Sequence, residues 1–168
     1  MWLGFHPDMA VPDHADPVRR ESTRLQALAP YGGQSCLHLP TLARWFGATS
    51  LEPHPAYGPL FGMDVENPFP LAERFDVVTR EASPITYLTE DDPPIYLLYG
   101  DEAVPVSETT SPGVWVHHPM MGIRLKEAMD PIGVECHVEY PGEAPDTVYG
   151  SQIGFLIAQL QGRSKTAN

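Results

Sequence analysis

The sequence predicts an α/β fold, with a mostly parallel sheet and helices packed against it. Residues 94–99 (PIYLLY) form a continuous apolar run, which is typical of a strand covered on both faces. Residues 134–140 alternate between apolar and polar side chains, as in a half-exposed strand near a sheet edge. One amphipathic helix is expected at about 119–129, between the two strands in sequence, and another at about 151–161, after the second strand. This strand, helix, strand, helix order predicts two neighbouring parallel strands joined by a right-handed crossover.

Weaker elements precede this unit. Residues 24–31 (RLQALAPY) predict a short buried strand that ends at a Gly-Gly turn. Residues 40–46 can form one or two helical turns, because proline is well tolerated at the first helical position, and Gly47 is expected to end them. A short helix is predicted over residues 71–78.

The remaining segments predict connections within a single domain of 168 residues. Residues 7–20 and 82–92 are expected to be surface loops. Residues 47–70, rich in proline and glycine, predict a long irregular excursion, which in a compact domain is usually a lid or binding loop. Residues 162–168 predict a polar tail.

Composition excludes several classes of protein. Lys and Arg total 10 against 22 Asp and Glu, so the formal charge is 10 − 22 = −12. This charge repels phosphate and anionic lipid, so neither nucleic acid nor a membrane surface is expected as a partner. No apolar run approaches the length of a membrane helix, and MWLGFH lacks the basic residue of a secretory signal, so we expect a soluble chain.

The cysteine pattern indicates no dense disulfide framework and no zinc ribbon. Cys36 and Cys136 lie far apart in sequence without a CxxC pair, which leaves one long-range disulfide open. No metal and no cofactor is expected, because His117 and His118 are adjacent and lack a third ligand at helical spacing. A capping or packing role is the interpretation for these two histidines.

Two stretches carry a resemblance to a known family. Residues 82–102 contain an A-S-P turn, a polar loop ending in two prolines, an apolar strand and a G-D turn, in that order. Residues 118–142 continue with a helix, a G-V-E ending, a strand and a P-G turn. In order and spacing the chain resembles the carboxyl-terminal part of an α/β-hydrolase of the esterase type. The resemblance implies a partial α/β-hydrolase fold and, for the parent family, a small-molecule ester as substrate.

The same resemblance implies a catalytic serine, acid and histidine, and the sequence departs from each. A family nucleophile lies in G-x-S-x-G, which this chain does not contain. The segment most similar to this motif is residues 33–37, which places Ser35 after a predicted strand but has Leu37 where the second glycine belongs. Ser35 is therefore interpreted as an ordinary loop serine. The family histidine would follow the last strand, where Pro145 stands. His137 is interpreted as a solvated residue on the strand face.

The acid is the best-supported member of the set. The family turn G-D-x-D-x-x-V-P is two residues shorter here, as Gly100-Asp101-Glu102-Ala103-Val104-Pro105. Either Asp101 or Glu102 is therefore the candidate catalytic acid. The alternative is that both carboxylates are simply solvated in an exposed turn.

Two functional interpretations stay open. In the first, the chain is part of a carboxylic-ester hydrolase whose nucleophile segment is missing, so that it is inactive as given. In the second, the fold serves as a noncatalytic binding or structural domain. Strands at the centre of the complete sheet would be missing, so we also expect marginal stability and self-association through the exposed sheet edge.

Overall fold

A computed structural model describes residues 1–62 and 72–162 of the chain. Its helices are α1 (Trp2–Phe5), α2 (Leu39–Phe46), α3 (Tyr57–Phe61), α4 (Ala72–Glu81), α5 (Pro112–Trp115), α6 (Met120–Met129) and α7 (Gln152–Leu160). Its strands are β1 (Ile95–Leu98) and β2 (Cys136–Glu139), and short 3₁₀ turns cover Pro17–Arg20, Pro84–Tyr87 and Asp130–Ile132.

The sheet is small and parallel. β1 pairs with β2 in parallel, with Ile95 opposite Cys136. On the other side of β1, Leu28 bridges to Ile95 and Tyr31 bridges to Leu98, also in parallel. Three segments therefore run side by side in one direction, and the fold is a mixed one of helices and strands with a small parallel sheet.

Segment 28–31 pairs at two points instead of forming the continuous strand predicted over residues 24–31. Pro30 has no N–H to donate, so it can join the backbone hydrogen bonds of the sheet only through its carbonyl. This carbonyl accepts from Leu98 N at 3.3 Å. The prediction was right about where the chain joins the sheet and wrong about the length of regular strand.

Helices cover both faces of the sheet because the strand side chains alternate. Leu97, Tyr99 and Val138 belong to the main core on the α6 side, which α2 also reaches. On the opposite face, the buried ring of Phe155 in α7 lies 5.7 Å from that of Tyr96. Gly122 brings α6 close to the sheet, because a Cβ there would lie 2.7 Å from the Tyr99 ring.

The local sequence signals located most helix boundaries. The helices predicted over 119–129 and 151–161 are α6 and α7, within a residue or so at each end. Gly47 ends α2 with φ 72°, the left-handed conformation that glycine adopts at little cost. The helix predicted over 71–78 is α4, although residue 71 lies outside the described residues.

The excursion predicted over residues 47–70 is not irregular throughout, since α3 forms inside it. Tyr57 is buried, and its ring lies 5.3 Å from that of Phe61 and 5.9 Å from that of Phe75. Pro59 falls in the first helical turn, where its missing N–H has no helical acceptor to lose. Burial of the aromatic rings thus outweighs the weak helix propensity. Residues 63–70, and 163–168 of the predicted tail, lie outside the described residues.

The two cysteines are free thiols, so the disulfide left open by the sequence is not formed. Both are buried, and burial raises the pKa of each thiol, for Cys136 to about 12. We expect both thiols to be unreactive toward Ellman's reagent in the native protein and to react fully in denaturant, because the thiolate is the reactive form. Rapid labelling of either thiol without denaturant would contradict the burial of these residues.

Candidate functional site at the carboxyl end of the sheet

The carboxyl ends of the three parallel segments meet at one edge of the sheet, which is where open α/β sheets place their ligand sites. Tyr31 and Gly32 end the first segment, and Gly100 follows β1. The Tyr31 ring extends over the turn that follows β1. Its hydroxyl lies so close to Gly100 that a Cβ on this residue would be only 2.0 Å away. A side chain at position 100 would therefore have to displace the exposed Tyr31 ring.

Asp101 and Glu102, the candidate acids, lie at this edge on an exposed turn after β1. The turn is closed by Val104 N donating to the Glu102 carbonyl at 2.9 Å. Both carboxylates line an open cavity of 410 Å³ together with Val104, Gly113, Val114 and His118. The structure thus brings the predicted acids together with one histidine, the only one lining this cavity among the described residues.

His118 is the residue that holds the acid turn in place. Its buried ring donates from Nε2 to the Val104 carbonyl at 2.9 Å and accepts at Nδ1 from Met120 N at 3.0 Å. Burial lowers the pKa of His118, against the opposing effects of the Val104 carbonyl and the Asp101 charge. This geometry agrees with the capping or packing role expected for His118, and both ring nitrogens are already engaged.

His117 and Tyr31 lie at the same edge and were not singled out as site residues from the sequence. The exposed ring of His117 places Nδ1 2.9 Å from the Gly32 carbonyl, and Tyr31 is 69% exposed. Neither residue belongs to a recognisable motif, because their proximity depends on how segment 28–31 lies against β1. The resulting edge combines an imidazole, a phenol and two carboxylates.

Ser35 is not a nucleophile in this arrangement. Its side chain is fully buried, and its hydroxyl donates to the Met121 carbonyl at 2.7 Å. A nucleophilic serine has to face the substrate and lie next to a base. The interpretation of Ser35 as a structural serine therefore agrees with its geometry, which ties the loop to α6.

His137 is not solvated, and its sequence interpretation was wrong. The side chain is 14% exposed, and its two ring nitrogens contact two carboxylates: Nδ1 lies next to Asp146 Oδ2 and Nε2 lies 2.9 Å from Glu135 Oε1. The alternation along β2 is as predicted, but α7 and the loop before it cover the polar face. Alternation alone does not reveal such a cover.

Hydrogen bonds extend this buried cluster to α7. Tyr149 Oη donates to Glu135 Oε1 at 2.7 Å, and Gln159 Nε2 donates to Glu135 Oε2 at 3.0 Å. Burial alone would raise the pKa of Glu135 and Asp146, but their hydrogen bonds and the His137 charge lower both pKa values overall. Ionised carboxylates can only accept hydrogen bonds, so Glu135 and Asp146 are held by the donors around them.

A second histidine and carboxylate pair links α2 to α4. Buried His38 places Nε2 2.5 Å from Asp76 Oδ1 and Nδ1 2.8 Å from Thr41 Oγ1. The hydrogen bonds from His38 and Arg80 lower the pKa of Asp76. The Asp76 side chain is 43% exposed, so this pair is more open to solvent than the His137 cluster.

Among residues 1–62 and 72–162, no group of three His, Cys, Asp or Glu side chains is arranged to hold a metal ion. Within the same residues, no helix has both the length and the apolar character needed to cross a membrane. Comparisons with protein-family models, curated proteins and solved structures returned no significant match.

Proposed function

We propose that the chain is an α/β-hydrolase-like domain of the esterase type that does not hydrolyse esters by itself. Three parallel segments in chain order, with an acidic turn after the middle one, support the hydrolase-like part of this proposal. The positions of Asp101 and Glu102, at the carboxyl end of β1, are where such a fold uses an acid.

The single observation that carries the lack of activity is the state of His118. A triad needs a histidine that accepts a proton from a serine while an acid orients it. His118 shares the cavity with Asp101, but its Nε2–H is given to the Val104 carbonyl and its Nδ1 accepts from Met120 N. Neither nitrogen is available as a general base.

The other required groups are engaged as well. The Ser35 hydroxyl is buried and bonded to a carbonyl, and His137 is held between two carboxylates on a different part of the sheet. Rearranging any of these groups into a triad would break buried hydrogen bonds, each worth on the order of 1 kcal/mol.

The alternative is a noncatalytic binding role at the same edge. The cavity of 410 Å³ beside Asp101 falls within the range of small-molecule sites, and an exposed tyrosine and imidazole stand nearby. This alternative predicts that the ligand is a small-molecule ester or another neutral molecule of similar size.

Hydrolysis of p-nitrophenyl acetate tests the first proposal. We expect the purified chain to show only the slow, non-saturating release that exposed imidazoles give, reduced by His117→Gln and unchanged by Ser35→Ala. Saturating turnover that is lost in Ser35→Ala, or in the double variant Asp101→Asn with Glu102→Gln, would refute it. A circular dichroism spectrum of each variant confirms that it is folded.

A further inference from the structure

A cavity with aromatic walls is lined by residues of α1, α3, the end of α4 and the 3₁₀ turn that follows α4. We call it the aromatic cavity. Its volume is 440 Å³, and its lining includes Trp2, Leu37, Leu60, Phe61, Glu81 and Tyr87. This volume falls within the range of small-molecule sites. The aromatic cavity shares no lining residue with the cavity beside Asp101.

Trp2 is held firmly in this wall although α1 is only four residues long. Phe5 in the same helix is buried, and Gly4 lies so close to Leu28 that a Cβ on it would be 2.6 Å from the leucine side chain. The indole Nε1 of Trp2 donates to the Glu81 carbonyl at 2.9 Å. Trp2 is nevertheless 36% exposed, so its ring is anchored without being covered.

Tyr87 forms the neighbouring wall. Its ring lies 5.9 Å from that of Trp2, and the two ring planes are nearly perpendicular, at 81°. His6 packs against both rings, with centroid distances of 4.3 Å to Trp2 and 4.9 Å to Tyr87. The two rings therefore form a fixed corner, and Phe61 adds a third aromatic ring to the lining.

The charge of the aromatic cavity is negative. Glu81 supplies the only charged side chain among the described lining residues. It is the last residue of α4, where the helix dipole already favours a nearby cation. Within residues 1–62 and 72–162 its carboxylate has no ion-pair partner, because the neighbouring Arg80 pairs with Asp76 at 3.1 Å.

Aromatic rings and a carboxylate together favour one class of ligand. The face of an aromatic ring attracts a cation, and several such rings recognise quaternary ammonium groups, which carry no N–H and need no hydrogen-bond acceptor. A metal ion prefers several oxygen ligands, whereas only Glu81 supplies a carboxylate among the described lining residues. An anion would be repelled both by Glu81 and by the net charge of −12.

We propose that the aromatic cavity binds a small quaternary ammonium ion of the size of choline. Its methyl groups pack against the rings of Trp2 and Tyr87, and its charge is offset by Glu81. The ligand is a free small molecule, because the rings and the carboxylate that recognise it all lie within one cavity. This site does not depend on the hydrolase proposal.

An NMR titration of the full chain with choline tests the site. We expect saturable binding with a dissociation constant on the order of 1 mM, as a few cation–π contacts would give. The control ligand is 3,3-dimethylbutan-1-ol, which has the shape of choline but a carbon atom in place of the charged nitrogen. It should bind at least about tenfold more weakly, because it has no charge to attract the ring faces.

Two carboxylate variants test the role of charge. Glu81→Gln should weaken choline binding about twofold to fivefold, the usual range for an exposed ion pair. The matched control is Glu90→Gln, which removes the same charge from an exposed residue outside the aromatic cavity. This control should bind choline like the unchanged chain, and equal weakening by the two substitutions would contradict the role of Glu81.

Two substitutions of Trp2 separate binding from packing. Trp2→Phe and Trp2→Leu both lose the hydrogen bond to the Glu81 carbonyl, but only phenylalanine keeps an aromatic face. Trp2→Phe should therefore bind choline at least about threefold more tightly than Trp2→Leu. Circular dichroism reports whether each variant is folded, and the comparison of choline with its carbon analogue requires no variant.

Three results would overturn the proposal of a small-molecule site. The first is the absence of saturable choline binding, and the second is equal affinity for choline and 3,3-dimethylbutan-1-ol. The third is equal binding by folded Trp2→Phe and Trp2→Leu. Binding of a peptide that contains trimethyllysine, without binding of free choline, would overturn it as well and would assign the aromatic cavity to a polypeptide ligand.

Discussion

Replacing Phe155 with alanine is expected to destabilise the chain by about 3–5 kcal/mol, the usual cost of emptying a large buried site. Phe155 is the fully buried residue of α7, and its ring packs against Tyr96, His137 and Tyr149. Its loss also loosens the helix that supplies Gln159 to the Glu135 carboxylate. Urea unfolding followed by circular dichroism measures the change in free energy.

Two further variants serve as controls for the Phe155→Ala measurement. Leu60→Ala removes an apolar side chain that is 63% exposed on α3 and should change the free energy of unfolding by less than about 0.5 kcal/mol. Phe155→Leu keeps most of the apolar volume and should lie between the two alanine variants. Equal, small effects of Phe155→Ala and Leu60→Ala would mean that α7 does not pack on the sheet.

The elements that the sequence predicted well are those with strong local signals. The apolar run at 94–99 gave β1, and the spacing of apolar residues with Pro119 in front gave α6. Both depend on interactions within a few residues. Segment 28–31 and α3 were predicted less well, since each depends on a tertiary partner: β1 for the first, and a cluster of aromatic rings for the second.

The residues of the candidate site also divide into those that local sequence predicts and those that only the tertiary structure brings together. Asp101 and Glu102 follow directly from their position after a strand, and the structure places them on an exposed turn. Their role as acids stays a prediction. His117 and Tyr31 could not be assigned to this edge, because they are 86 positions apart in sequence and meet only through the parallel register.

His137 shows why the polar face of a strand is hard to interpret. Glu, His and Glu at alternating positions are typical of a solvated face, and the sequence at 135–139 carries no sign of a cover. The cover comes from Asp146 and Tyr149 in the following loop and from α7. His137 lies between Glu135 and Asp146 with little exposure to solvent, so removing either carboxylate leaves a buried polar group without its partner.

Asp146→Asn is expected to destabilise the chain by about 1.5–3 kcal/mol at pH 7, the value of a hydrogen bond to a charged group. The Asp146 side chain is only 11% exposed, so water screens this contact poorly. The matched control is Asp76→Asn, which removes a carboxylate from His38 at a site 43% exposed and should have a smaller effect. Urea unfolding of the three proteins gives both differences.

The effect of Asp146→Asn should depend on pH, and the sign follows from the lowered pKa of Asp146. A carboxyl group whose pKa is lower in the folded state contributes stability above its unfolded pKa of about 4, and this contribution is lost as the pH falls further. The gap between the unchanged chain and Asp146→Asn should therefore be full at pH 7 and 5, and shrink toward pH 3. An equal gap at pH 7 and pH 3 would contradict an ionised Asp146 paired with His137, because a neutral contact does not titrate in this range.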